Sequence, residues 1–167
     1  QQPLDPLTAA MCPETLVIGG GIAGLTAALE LADAGHHVHL VEKTDRLGGH
    51  LARIDLTAPH LDSAWELLIE RIVRVQQSPR ISVLLRSELK NLSGYIGNYT
   101  ATVATRNGAP DHPETKRLEV GNVVVATGYQ AFDASRITHY GYGTLPNVIT
   151  SFEFEAMLRA GKIQTKD

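Results

Sequence analysis

The stretch Thr15 to His50, TLVIGGGIAGLTAALELADAGHHVHLVEKTDRLGGH, constrains the fold more than any other part of the chain. Thr15-Leu16-Val17-Ile18 is a short apolar run rich in β-branched side chains, the composition of a strand buried on both faces. It stops at Gly19. From Ile22 to Ala34 the apolar residues Leu25, Leu29 and Ala32 recur three or four apart. Ala27, Ala28 and Leu31 widen that face, which predicts a helix ended by Gly35. His37 to Val41 then alternates as a second strand. Strand, helix and strand within about thirty residues make a crossover that leaves its two strands parallel and adjacent.

Each glycine in the turn has a physical role. Gly19 permits the tight exit from the strand, Gly21 withholds the side chain that would block a pyrophosphate, and Gly24 lets helix and strand pack closely. Phosphates would meet free N–H groups at the positive end of the helix, which brings Ile22 and Ala23 beside them. Glu42 ends the second strand, with Lys43 next to it. A carboxylate there accepts hydrogen bonds from an adenosine ribose and repels a 2′-phosphate, so the pattern predicts a dinucleotide site that disfavours NADP.

NAD and FAD share the adenosine diphosphate half, so the residues after Glu42 decide between them. In EKTDRLGGH, Glu42, Arg46 and the doublet Gly48-Gly49 match a segment of flavoproteins whose Rossmann domain carries FAD. FAD is longer than the first turn can hold. A second bare stretch of backbone is therefore needed near the flavin end, and His50 and Leu51 come directly after it. Arg46 is placed as a charge-assisted donor to the pyrophosphate. A third segment, Leu118 to Gly128, is read as an apolar strand ending in Ala126-Thr127-Gly128. Small residues at the C-terminal edge of a parallel strand lie where ligands of such sheets collect. The three segments together favour FAD.

The remaining sequence fills in the domain. Leu61 to Gln77 reads as an amphipathic helix with Leu61, Trp65, Leu68, Ile69, Ile72 and Val75 facing the core. Ile81 to Leu85 is a third strand, and its exit places Glu88 and Leu89 near the adenine. Tyr99–Thr105 and Arg117–Val120 are expected to pair across the polar loop 107–115. The predicted class is α/β: a Rossmann-like FAD/NAD(P)-binding domain with a parallel sheet, plus a small antiparallel β-meander inserted before the last strand. Residues 1–13, with three prolines, read as a linker or tail, and residues 14–167 as the domain.

Composition excludes several classes. Fifteen basic and eighteen acidic side chains leave a formal charge of -3, so no basic surface recommends nucleic acid. No apolar run approaches the roughly 18 residues of a membrane span, so no direct membrane insertion is expected. A single cysteine, Cys12, cannot form an internal disulfide or hold an iron–sulfur cluster alone, and it points to the cytoplasm. His36, His37 and His39 lie close together, but no carboxylate or cysteine completes a set, so no metal site is expected. No Gly-x-Ser-x-Gly elbow occurs, and no catalytic side chain is assigned.

Three further segments narrow the reading: SGYIGNYTATV (93–103), VVVATGYQAFD (123–133) and YGYGTLPNVITSFEFEAML (140–158). With them the chain resembles the FAD-binding core of the heterodisulfide reductase A subunits and related flavoproteins of the two-dinucleotide-binding-domain superfamily. The resemblance implies a FAD that passes electrons to iron–sulfur protein subunits of a larger redox complex. It also implies that this chain is a fragment of a larger flavoprotein. With no second Gly-x-Gly-x-x-Gly after Gly128, no NAD domain is expected. Two alternatives stand beside this reading: a substrate oxidase of the amine-oxidase or desaturase type, and a non-catalytic domain that docks partner subunits.

Overall fold

A computed structural model of the chain describes residues 10–106 and 114–165. In chain order the elements are β1 (Thr15–Ile18), α1 (Ile22–Asp33), β2 (Val38–Val41), β3 (Leu56–Thr57), β4 (Asp62–Ser63) and α2 (Ala64–Gln77). They are followed by β5 (Ile81–Leu84), β6 (Ser87–Tyr95), β7 (Asn98–Thr105), β8 (Glu114–Val120), β9 (Asn122–Val125) and α3 (Ser151–Arg159). The parallel sheet has the order β5-β2-β1-β9, and a second, antiparallel sheet has the order β6-β7-β8.

Three layers result, because a parallel sheet must be covered on both faces. Side chains alternate along each parallel strand. Val17, Val38, Leu40 and Ile81 therefore point to one side, where they pack with Leu25, Leu29, Leu68 and Val75 of the two helices. Leu16 and Val41 point to the other and meet Ala101, Val103, Leu118 and Val120 of the meander. Thr15 sits opposite both Val38 and Asn122, so β1 is an inner strand paired on both sides, and the site gathers at its C-terminal edge.

The α/β class, the parallel sheet and the meander all match expectation, with local corrections. RSELKNLSG (86–94), read as an exit from the third strand, lies almost wholly in the long strand β6, so the meander has three strands rather than two. The run Leu118–Gly128 is not one strand. Gly121 divides it, because its N–H bonds back to Glu14 and redirects the chain from the meander into the parallel sheet.

The second helix starts at Ala64, not Leu61. Leu61 has φ 59°, and Ser63 caps the helix through its hydroxyl, which accepts from the Glu66 N–H at 3.2 Å. That start rotates the stripe: Ala64, Leu68 and Val75 are buried, whereas Leu61 and Trp65 are 66% and 60% exposed and Ile69 also faces solvent. Part of the predicted tail is ordered: the Cys12 N–H bonds to the Gly97 carbonyl, and Asn98 donates to Ala10. Residues 1–9 lie outside the described residues. No residue between 126 and 165 is buried.

Candidate dinucleotide site

The turn after β1 is set by glycines that no other residue could replace without cost. Gly19 has φ +110°, which side chains avoid, and an added Cβ there would overlap the Ala126 carbonyl. A Cβ on Gly24 would overlap the Gly19 carbonyl oxygen, so helix and strand touch through backbone. Gly21 differs. Its added Cβ would find only the Gly49 Cα, at 4.0 Å, leaving open space before the first turn of α1. N–H groups in that first turn have no partner within the helix, and they carry its positive dipole end. An anionic pyrophosphate fits a cradle of this kind.

The second glycine pair closes on the first. The Gly48 N–H donates to the Gly20 carbonyl at 2.7 Å, Gly48 bridges Gly21 in parallel fashion, and Gly49 backs onto the Gly21 Cα. Gly48 requires its φ of +123°, and a side chain there would meet Leu68 of α2. Two segments separated in sequence thus form one bare backbone ledge at the N-terminus of α1. Leu51 begins a single 3-10 turn beyond this ledge and packs on the helix-side core.

Glu42 is 7% exposed and is held on both carboxylate oxygens. Oε2 accepts from the Gly20 N–H at 2.7 Å, and Oε1 accepts from the Thr44 N–H and hydroxyl, each at 2.8 Å. Oε2 keeps one further lone pair with which to accept a hydrogen bond. Beside it a cleft of ≈ 390 Å³ is lined by Ile18, Gly19, Glu42, Lys43, Leu89 and Thr127, with Ser87 and Glu88 also on its wall. The third-strand exit therefore does meet the glycine turn and Glu42. The carboxyl of Glu88 is held below its usual range, first by the hydrogen bond from Lys90 and then by the charges of Lys90 and Arg106.

The Ala126-Thr127-Gly128 segment joins the same edge: the Ala126 N–H donates to the Ile18 carbonyl at 2.8 Å, and Gly128 turns the chain with φ +68°. Ile22 and Ala23 occupy the first turn of α1. The Arg46 side chain is 85% exposed and lies 3.6 Å from Asp45. The ring of His50 stacks with those of Tyr129 and Phe152. Sequence reasoning gave neither Tyr129 nor Phe152 a place in the site; only their closeness to Gly128 and to the start of α3 offered any sign. Among the described residues, no group of three histidine, cysteine or carboxylate side chains could hold a metal, and no helix is long and apolar enough to cross a membrane.

The parallel sheet, the crossover and a glycine ledge at a helix N-terminus define a Rossmann-like dinucleotide-binding domain. The family described as NAD(P)-binding Rossmann-like domain matches residues 17–87. Among the relatives this chain matches are heterodisulfide reductase A subunits. The first of two iron-sulfur A subunits of the CoB–CoM heterodisulfide reductase of Methanopyrus kandleri is 32% identical over 86% of this chain and 32% of its own length. The A subunit of the H2:CoB–CoM heterodisulfide, ferredoxin reductase of Methanothermobacter marburgensis is 28% identical over 95% of this chain and 35% of its own.

The chain thus spans about a third of the length of the curated relatives it matches. The Methanopyrus alignment runs over 215 positions, more than the 167 residues of this chain, so that relative carries residues inside the matched span that this chain lacks. Among solved structures, an L-proline dehydrogenase from P. horikoshii superposes with a TM-score of 0.59, at 21% identity, over 70% of this chain and 22% of that one. A polycyclic ketone monooxygenase from Thermothelomyces thermophila gives 0.53 at 20% identity, over 75% and 24%. These two describe the shared fold.

Proposed function

We propose that this chain is the FAD-binding, electron-transfer domain of an oxidoreductase like the heterodisulfide reductase A subunits, part of a larger flavoprotein in the cytoplasm. The observation that carries the proposal is the continuous ledge. A cleft beside Glu42, open space at Gly21 and a second bare turn at Gly48-Gly49 bridged to it would suit a dinucleotide with an extended far half. When bound, FAD takes up electrons in pairs and hands them on singly or in pairs.

The residues of this chain bind and orient. Glu42 holds the ribose and, through Gly20, the phosphate turn. The first turn of α1 neutralises the pyrophosphate, and Gly48-Gly49 lets the rest of the molecule pass without a side chain in its way. Lys43, Leu89 and Thr127 wall the adenine end, and Ala126 and Gly128 flank Thr127 at the end of β9.

Iron–sulfur subunits are the electron partners in this reading. Clusters are held by several thiolates, and Cys12 is the one cysteine here, its thiol donating to the Glu119 carbonyl on the meander. Any cluster therefore sits outside these residues, in other segments of the larger flavoprotein or in partner subunits. The test is direct. Purified chain mixed with FAD and desalted should be yellow, absorb near about 450 nm and bleach with dithionite. A chain that emerges colourless after incubation with FAD refutes the proposal.

A further inference from the structure

Past the glycine ledge stands a stack of side chains for which the adenosine diphosphate half of a ligand has no use. The rings of Tyr129 and His50 lie 4.3 Å apart at 21°, and those of His50 and Phe152 lie 5.3 Å apart at 17°. The Arg53 guanidinium stands over the Phe152 ring, 3.8 Å from its centroid. His50 also donates from Nε2 to the Tyr129 carbonyl at 2.6 Å, so it fixes the backbone of the residue whose ring it covers. Ring stacking and cation–π contact order four side chains that do not share a core. At the outer end, Tyr129 is 63% exposed. With His50 on one face, its other face is open to solvent.

We propose that the open face of Tyr129 seats the planar ring at the far end of the bound dinucleotide, with His50 as its positioning residue. The inference rests on the FAD reading above and adds the residue that recognises the flavin half. Its basis is position. Thr127 lines the ribose-side cleft two residues before Tyr129, while Gly49, one residue before His50, backs onto Gly21. A ligand that begins beside Glu42 and lays its phosphates at Gly21 must leave the ledge between these two chain segments. There it meets an ordered, flat, electron-rich phenol. The isoalloxazine ring is flat and electron-poor, and offset stacking of such a pair is favourable.

The test is titration of the full chain with FAD and, separately, with ADP, which carries only the adenosine diphosphate half. Tyr129→Leu should bind FAD about tenfold more weakly and ADP as tightly as the native chain, while Tyr129→Phe keeps both affinities. His50→Ala should weaken FAD alone, by a smaller factor. Bound flavin should fluoresce more brightly in Tyr129→Leu, because its ring no longer rests on the phenol. Unchanged ADP binding doubles as the check that each variant folds. FAD affinity and fluorescence that stay native in Tyr129→Leu overturn the inference. So does a native chain that binds ADP and FAD equally well, although the nucleotide site then stands. A native chain that binds neither ligand overturns the FAD reading itself, and this inference with it.

Discussion

At the scale of single residues, the glycines divide into those that hold the fold and those that leave room for a ligand. Gly21 has ordinary extended dihedrals and open space before it, so Gly21→Val should cost less than about 1 kcal/mol of stability yet abolish measurable FAD binding. Gly24→Val should lower stability by about 1–3 kcal/mol or more, since the side chain collides with the Gly19 backbone. Urea unfolding and calorimetric titration on the same two variants separate the effects, and a similar stability loss in both would refute the division.

Glu42→Ala strips the Gly20 and Thr44 N–H groups of their acceptor, so it should cost about 1–3 kcal/mol of stability in addition to affinity. The sequence points to Glu42 as a ribose ligand by its place at the end of β2. Its bond to Gly20 is not legible there, because that contact depends on how the turn folds back, which residue spacing does not encode.

At the scale of elements, α2 shows where periodicity stops being informative. A 3.6-residue repeat says that a helix has an apolar stripe, but Trp65, Ile69 and Val73 make a second stripe beside the true one. What sets the rotation is the entry of the chain: the turn at Leu61 and the Ser63 cap point Ala64, Leu68 and Val75 inward. Leu68→Ala should therefore cost about 2–5 kcal/mol in urea unfolding. Trp65→Ala should stay within about 0.5 kcal/mol. Equal losses would mean that the helix is rotated.

Strand β6 is hidden in the sequence because Asn91, Ser93 and Gly94 are poor strand formers, and pairing with β7 overrides that preference. The break at Gly121 is hidden for the opposite reason. Only the pair Gly121-Asn122 interrupts the run, and its apolar neighbours Val120 and Val123 on either side make it read as a local irregularity of one strand rather than a change of sheet. α3, by contrast, carries a capping box in which Thr150 and Glu153 bond each other's backbone. Thr150→Ala should destabilise it by about 1 kcal/mol, read as faster hydrogen exchange confined to Ser151–Arg159.

At the scale of the molecule, stability is distributed unevenly. The sheet, both covering helices and the meander share two apolar clusters, whereas residues 126–165 bury no side chain and lean on the rest through contacts such as Asp55 to Glu155 and Arg159 to Ile54. Limited proteolysis should cut within 126–165 first and leave a resistant core, and FAD should slow that cleavage. First cuts inside the parallel sheet would contradict this ordering. The three-layer plan is readable in the sequence because the crossover, the buried strands and the alternating meander each keep a simple period. The loose C-terminal layer is not, since its aromatic residues look like core until the burial is seen.

One consequence concerns the order in which the protein is made. β1, an inner strand, waits for β9 across the whole meander, and Thr127 follows directly on that pairing. A ribosome must therefore emit the sequence as far as Thr127 before the nucleotide has a complete seat, so cofactor loading waits for the return of the chain from the meander rather than for the appearance of the glycine motif.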